Sequence, residues 1–215
     1  MKILVTGGTG FLGSHLVERL VEAGGAEVYA LVRDPSRLRW LEGVSGVRPV
    51  AGDLGDIPAL PSGLSCVYHL AGLTKTHKPD DYYTVNRDGT ANLLRALEGQ
   101  AGPLRFVHLS SLAAAGPSEG AEGVREDDPP RPVSDYGESK LQAEAEVLRY
   151  KDRYSVVLLR AGAVYGPRDE DFLEFFRWIK RGVQPILGSR KALSLVYARD
   201  AVRAAVLAGD PRRPS

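Results

Sequence analysis

The 215-residue chain predicts an α/β fold built on a doubly wound parallel sheet. Three observations carry that prediction. Apolar runs of strand length alternate with segments of helical period. The runs Ile3-Leu4-Val5, Val67-Tyr68-His69-Leu70-Ala71 and Val156-Val157-Leu158-Leu159 are continuously rather than alternately apolar, so both faces must be covered, as in a parallel sheet between helices. A glycine-rich turn separates the first run from the first helical segment.

The elements follow in order. Lys2–Thr6 reads as a strand, and Phe11–Ala23 as a helix with Leu12, Leu16, Leu20 and Val21 on one face. Glu27–Val32 is a strand, Ser36–Leu41 a short helix, and Val47–Val50 and Cys66–Ala71 are strands. Tyr82–Leu97 reads as a helix, Leu104–Ser110 as a strand, Asp135–Tyr150 as a helix and Val156–Arg160 as a strand. Gly116–Pro132 breaks the rhythm. It is rich in glycine, proline and acid, a loop long enough to form a rim or simply a surface insertion. Beyond Gly166 come a helix Phe172–Lys180, strands Gln184–Leu187 and Leu193–Tyr197, and a last helix Asp200–Leu207. The expected division is a dinucleotide-binding domain over residues 1–165 and a small, incomplete substrate-binding part over 166–215, interleaved with it.

Bulk composition narrows the function classes. Hydrophobic residues make up 43% and charged residues 26%, ordinary values for a globular protein. A net charge of +1 gives no electrostatic footprint for nucleic acid. No stretch approaches the ~20 apolar residues of a membrane span, and the apolar run at the N-terminus is too short for a signal peptide, so a cytoplasmic protein is expected. The single cysteine, Cys66, excludes a disulfide framework and reads as a small core residue. His15, His69, His77 and His108 show no metal-ligand spacing, and His108 reads as a hydrogen-bonded core residue. Trp40 and Trp178 read as packing residues, and Glu119, Glu122, Glu126, Asp127 and Asp128 as a solvated loop face.

The turn places Gly7, Gly10 and Gly13 between the first strand and its helix. Glycines there permit a tight turn, close approach of backbone to a pyrophosphate, and tight helix–sheet packing; the helix N-terminus adds free N–H groups and a positive dipole end. Phe11 and Leu12 open that helix and join the candidate cofactor contacts. The second strand ends in Val32-Arg33-Asp34. An acid at the first of these positions would receive the ribose hydroxyls of NAD, whereas Arg33, with Arg37 one turn on, suits the extra phosphate of NADP. The reading favours NADP, and Asp34 keeps NAD open.

Among nine tyrosines only Tyr136 has a lysine four residues later, Lys140. On a helix this spacing puts both on one face, where an ammonium is expected to draw the phenol pKa down from ~10. The strand before this helix ends in Ser110-Ser111, and ligands of doubly wound sheets bind at the carboxyl ends of strands, where a serine hydroxyl can hold the oxygen that the tyrosine protonates.

Together, Thr6–Gly13, the Ser110-Ser111 pair with Gly116 five residues after Ser111, and Tyr136-Gly137-Glu138-Ser139-Lys140 resemble the extended short-chain dehydrogenase/reductase superfamily, the NAD(P)-dependent epimerase/dehydratase family with its Rossmann fold. Gly52-Asp53-Leu54 resembles the family's adenine-contacting segment, and His69-Leu70-Ala71-Gly72 its nicotinamide-side strand end. Tyr83-x-x-Asn86-x-x-Gly89-Thr90-x-Asn92-Leu93-Leu94 resembles its central helix, and Val164-Tyr165-Gly166-Pro167 the segment after the sixth strand, with Gly162 just ahead of it. The resemblance implies that Tyr136 is the acid/base, Lys140 its pKa partner and ribose clamp, and Ser111, selected over Ser110 by its spacing to Gly116, the donor to the substrate oxygen. It implies cofactor contacts at Gly7, Gly10, Phe11, Leu12, Gly13, Arg33, Asp53, Leu54, Leu70, Ala71, Gly72, Tyr136, Lys140 and Gly162, no metal, a small-molecule substrate, and a homodimer formed through helices Tyr82–Leu97 and Asp135–Tyr150.

Departures from the family pattern bear on the substrate. Ala163 stands where nucleotide-sugar epimerases often carry asparagine, and Leu193 where they carry an arginine for the sugar-nucleotide diphosphate; Arg168, Arg190 or Lys191 are the candidates to replace it. Leu112 follows Ser111 where dehydratases carry an acid, which argues against dehydration. Family members run longer, so either the chain is shorter than its relatives or a further part lies outside this sequence. Family frequency points to a nucleotide-sugar epimerase-like enzyme acting on a secondary alcohol or ketone carbon. Ala163 and Leu193 point instead to an NADPH-dependent ketone or aldehyde reductase, or a hydroxysteroid-dehydrogenase-like enzyme. A reading of another class is a dinucleotide-binding regulatory protein without turnover.

Overall fold

The computed structural model describes residues 1–118, 120, 122–183 and 193–214. Six parallel strands form the main sheet: β1 (Lys2–Thr6), β2 (Glu27–Val32), β3 (Val47–Ala51), β4 (Leu64–His69), β5 (Arg105–Ser111) and β6 (Ser155–Ala161). Their order is β3-β2-β1-β4-β5-β6, the doubly wound arrangement expected from the apolar runs. The direction of winding reverses between β1 and β4, which opens a crevice at their carboxyl ends.

Continuously apolar strands bury both faces against helices. On one face α1 (Phe11–Ala23) supplies Leu16, Val17 and Leu20, and α7 (Ala198–Ala208) adds Val202 and Ala205. On the other, α3 (Gly89–Ala96) contributes Leu93 and Leu94, and α5 (Asp135–Leu148) contributes Val147, around a fully buried Phe106. Each such side chain stabilises the fold by about 1.5–3 kcal/mol relative to exposure. Cys66 sits in the first of these cores, as expected, and burial pushes its thiol up to about 12.

Several boundaries depart from the sequence reading. The helix expected from Tyr82 starts at Pro79 and has three contiguous pieces: α2 (Pro79–Tyr82), a π-helical turn (Tyr83–Asp88) and α3. π-turns are rare and recur at functional sites; this one carries the buried Asn86. The short helix expected over Ser36–Leu41 reduces to a 3-10 turn, Arg39–Leu41. Asp34 Oδ1 accepts from both the backbone N–H and the hydroxyl of Ser36, fixing a side-chain-closed turn where a helix would begin. β4 ends at His69, two residues early, because the Ala71 N–H donates to Thr6 Oγ1 at 3.2 Å instead of to a strand.

Two elements were missed by the sequence reading, α4 (Leu112–Ala115) directly after β5 and β7 (Ala163–Tyr165) after β6. β7 pairs in parallel with β8 (Leu195–Tyr197) in a separate two-stranded sheet. α6 (Glu170–Lys180) is capped by the Asp169 carboxylate, which accepts from Asp171 N and Phe172 N. The expected strand Gln184–Leu187 lies outside the described residues, as do Glu119, Arg190 and Lys191. Gly116–Pro132 holds no helix or strand among its described residues, and Glu122, Glu126, Asp127 and Asp128 are exposed. Its ends meet where Arg131 N donates to Ala115 O at 2.8 Å. Both tryptophans are less enclosed than packing residues would be: Trp178 is 48% exposed on α6, and Trp40 is 40% exposed, with the Arg39 and Arg168 guanidinium groups against its ring. No helix among the described residues is long and apolar enough to cross a membrane.

Candidate active site

The glycine turn lies at the crevice between β1 and β4. Gly7 has φ +71°, and a Cβ there would stand 2.6 Å from Ala71 N. A Cβ on Gly13 would fall 2.1 Å from Gly7 O, so only glycine lets α1 close against the turn. Gly10 caps α1 with no side-chain bond, and the first turn carries no acid, so the N–H groups at Phe11 and Leu12 face the crevice as a cradle for an anion. Such a set of backbone N–H donors at a helix N-terminus fits a pyrophosphate. The sequence-predicted Leu70, Ala71 and Gly72 continue β4 along the opposite wall.

The second set of expected contacts lies further along the strand ends. Asp53 Oδ1 accepts from Gly55 N and Asp56 N, and Leu54 O accepts from Asn92 Nδ2 at 2.7 Å, pinning that loop to α3. Arg33 is exposed and has no ion-pair or hydrogen-bond partner among the described residues. Arg37 stands 3.6 Å from Asp34, whose carboxyl is held below its ordinary pKa by the Ser36 bonds.

Each residue of Tyr136–Lys140 has a local reason for its place. Ser134 caps α5 by accepting from Gly137 N. A Cβ on Gly137 would stand 2.3 Å from Ala113 O, so this glycine lets α5 lie against α4 and brings Tyr136 to Ser111. Ser139 accepts from Asn86 Nδ2 at 2.9 Å, and Asn86 in turn holds both the N–H and the carbonyl of Leu73. The π-turn thus ties the loop after β4 to α5. Lys140 is 5% exposed and donates to Leu109 O at 2.8 Å.

Ser111 and Tyr136 line one open cavity of about 380 Å³ with Leu112, Ala113, Ala161, Gly162, Ala163, Leu193 and Ser194. Ser111 Oγ accepts from Ala113 N at 3.1 Å, and the hydroxyl lies near enough to the Tyr136 phenol to act on its pKa. Gly162 approaches the chain ahead of β8, where a Cβ would meet Ser194 O at 2.5 Å. None of the described lining residues is charged.

Protonation departs from the sequence expectation. Burial raises the Tyr136 phenol above its ordinary pKa, outweighing the Ser111 bond that lowers it. Burial brings the Lys140 ammonium down to about 8, with Glu144 one helical turn on opposing that fall. The Lys140 ammonium is held by Leu109 O on β5, and it is not among the groups that shift the tyrosine.

Sequence reading missed a buried polar layer beneath these groups. Glu144 is 2% exposed, receives the Ser110 hydroxyl, and forms a forked ion pair with Arg160, at 2.7 Å to Nη2. His69, held down at about 3 by burial, bridges Thr6 at 2.7 Å and Thr90 at 2.9 Å. The i, i+4 and i+8 spacing of Tyr136, Lys140 and Glu144 was a signal available in the sequence. Arg168, a candidate for the missing diphosphate arginine, is committed elsewhere: its guanidinium pairs with Glu18 on α1 at 2.7 Å and bonds Ser14.

Residues 3–213 match the model of the NAD dependent epimerase/dehydratase family. The chain is 33% identical over 203 residues to a ceramide reductase of Caulobacter vibrioides, covering 93% of this chain and 58% of that protein. It is 32% identical over 167 residues to a UDP-glucose 4-epimerase of Streptococcus mutans, covering 71% of this chain and 48% of that one. Among solved structures, MoeE5 in complex with UDP-glucose and NAD superposes with a TM-score of 0.83 at 32% identity, over 99% of this chain and 73% of that chain. The chain therefore spans about half to three-fifths of the length of these curated relatives.

Proposed function

Because the chain belongs to the NAD dependent epimerase/dehydratase family, we propose that it catalyses nicotinamide-dependent oxidation or reduction at a secondary alcohol or ketone carbon. The observation that carries this reading is the convergence of Ser111 and Tyr136 on one cavity beside the glycine crevice, with Lys140 behind them. Gly7, Gly10, Phe11, Leu12 and Gly13 would hold the pyrophosphate; Asp53 and Leu54 the adenosine end; and Leu70, Ala71, Gly72, Lys140 and Gly162 the nicotinamide end. When bound, the nicotinamide supplies or accepts the hydride. Ser111 holds the substrate oxygen, and Tyr136 Oη gives or takes its proton. Burial keeps the Tyr136 phenol protonated at neutral pH, which readies it as the acid of a reduction.

Two substrate readings each have support. UDP-glucose 4-epimerase and MoeE5 bound to UDP-glucose favour a nucleotide sugar, with an intermediate ketone retained and reduced on its other face. The uncharged lining with Leu112, Ala163 and Leu193, and likeness to a ceramide reductase, favour net reduction of a weakly polar ketone. The unpartnered, exposed Arg33 supports NADP over NAD, while MoeE5 holds NAD. Pairing of two copies through α3 and α5, which lie side by side, and a cytoplasmic location for a chain whose one cysteine is buried complete the proposal.

The experiment is turnover of NADPH and NADH against UDP-sugars and a series of apolar ketones, with Tyr136→Phe beside the unsubstituted chain. Loss of turnover with cofactor affinity kept is expected of Tyr136→Phe. A variant turning over at a near-normal rate refutes the catalytic assignment, and cofactor binding with no turnover on any substrate favours a regulatory dinucleotide-binding role.

A further inference from the structure

His108 occupies the middle of β5 with 0% exposure, and the proposed reaction makes no use of it. Its Nε2 lies 3.4 Å from Lys140 Nζ, and its ring packs against His69 at 5.2 Å, centroid to centroid, tilted by 34°. We propose that His108 is a positioning residue for Lys140: an uncharged acceptor beneath the ammonium that fixes its direction and helps to keep it cationic on the cofactor side. This rests on the reading of Lys140 as the lysine that faces the nicotinamide end of the crevice.

An ammonium has three N–H donors. One goes to Leu109 O at 2.8 Å, and a second points at His108 Nε2. Both lie on the sheet side, which leaves the third for the side where Gly72 stands, with a Cβ there only 4.0 Å from Nζ. For Nε2 to accept, the ring proton must sit on Nδ1, and that buried atom has no hydrogen-bond partner among the described residues. An orphaned buried donor is costly, and a phenylalanine would avoid it while still packing against His69. The contact with Lys140 is what the histidine provides and a phenylalanine would not.

The groups around the ammonium fit this role. Glu144, one turn along α5, favours the charged form, while desolvation opposes it. His69 on β4 is fixed by Thr6 and Thr90, and His108 is itself held well below its ordinary pKa by burial, by Lys140 and by His69. The neighbour therefore stays a neutral acceptor and adds no second positive charge. Tyr136, on the same helix, keeps its proton throughout the range in which Lys140 titrates, since burial raises it.

The test is the affinity for NADH and NADPH, by fluorescence titration from pH 6.5 to 9.5, in the unsubstituted chain, His108→Phe and His108→Gln. Affinity is expected to fall as Lys140 loses its proton. In His108→Phe the midpoint of that fall should move down by about one pH unit, a tenfold loss of proton affinity, as for removal of a charge-assisted hydrogen bond. Glutamine can present an acceptor at the Nε2 position and should restore the midpoint. His108→Asn, whose amide lies on the Nδ1 side, replaces phenylalanine if that variant does not fold, and should shift likewise. An unmoved midpoint in a folded phenylalanine or asparagine variant overturns the proposal, as does a shift that glutamine fails to reverse. Turnover is measured separately. A moving midpoint without turnover of any substrate supports the positioning role while removing the catalytic reading; no cofactor binding at any pH overturns both.

Discussion

Lys140 offers a stability measurement that needs no substrate. Its ammonium is buried, and its pKa falls from an ordinary 10.5 to about 8 in the folded chain. Between these values the unfolded chain binds the proton and the folded chain does not, so stability rises with pH across that window. Below about pH 8 both states are charged and the full desolvation cost is present. Lys140→Met keeps the length of the side chain and removes the titration. Other pH effects are shared by both proteins and cancel in their difference. For a shift of this size the unsubstituted chain should gain roughly 1.4 kcal/mol on Lys140→Met between pH 7 and pH 9, out of about 3 kcal/mol over the whole window. Urea unfolding of both proteins at each half pH unit measures it. Stability curves that stay parallel from pH 7 to 9 would show that the ammonium is not desolvated and would refute the reasoning.

Three further outcomes follow from the packing. Gly13→Ala would drive a Cβ to 2.1 Å from Gly7 O, so about 1–3 kcal/mol of stability and most of the affinity for NADH and NADPH should go, read by thermal melting and fluorescence titration. Glu144→Ala leaves Arg160 and Ser110 without their shared acceptor, and should cost about 3 kcal/mol by urea unfolding, the low end for a broken buried pair because Arg160 keeps 22% exposure. Arg33→Ser should weaken NADPH at least several-fold and leave NADH nearly unchanged; equal losses for both in parallel titrations would remove the arginine from cofactor choice.

Regular alternation of apolar and helical segments was enough to place the six strands of the main sheet; inner strands such as β1, β4 and β5, buried on both faces, leave an unbroken apolar signature, whereas the partly exposed edge strand β3 does not. The glycine turn was equally legible from its sequence context: the positive φ at Gly7 and the approach of Gly13 to Gly7 O arise within the turn, whereas the closeness of Gly7 to Ala71 N is tertiary. Tyr136 and Lys140 were candidates from their spacing on one helix, and Ser111 was chosen over Ser110 by the family resemblance. Their approach to one another was not legible, since it depends on Gly137 meeting Ala113 O across two helices. The short helix over Ser36–Leu41 failed for a local reason, the Asp34–Ser36 turn, which propensity alone undervalues.

The amino-acid order by itself determined the sheet, the anion cradle and the identity of the hydroxyl, phenol and ammonium, all of them matters of neighbours within a turn or a strand. Only the tertiary structure decided their protonation and partners. It lowered the lysine and raised the tyrosine through burial, turned the ammonium toward Leu109 and His108, and committed Arg168 to Glu18. Desolvation and through-space contact depend on what residues 20 to 150 positions away bring to the same spot, and spacing along the chain carries no record of that.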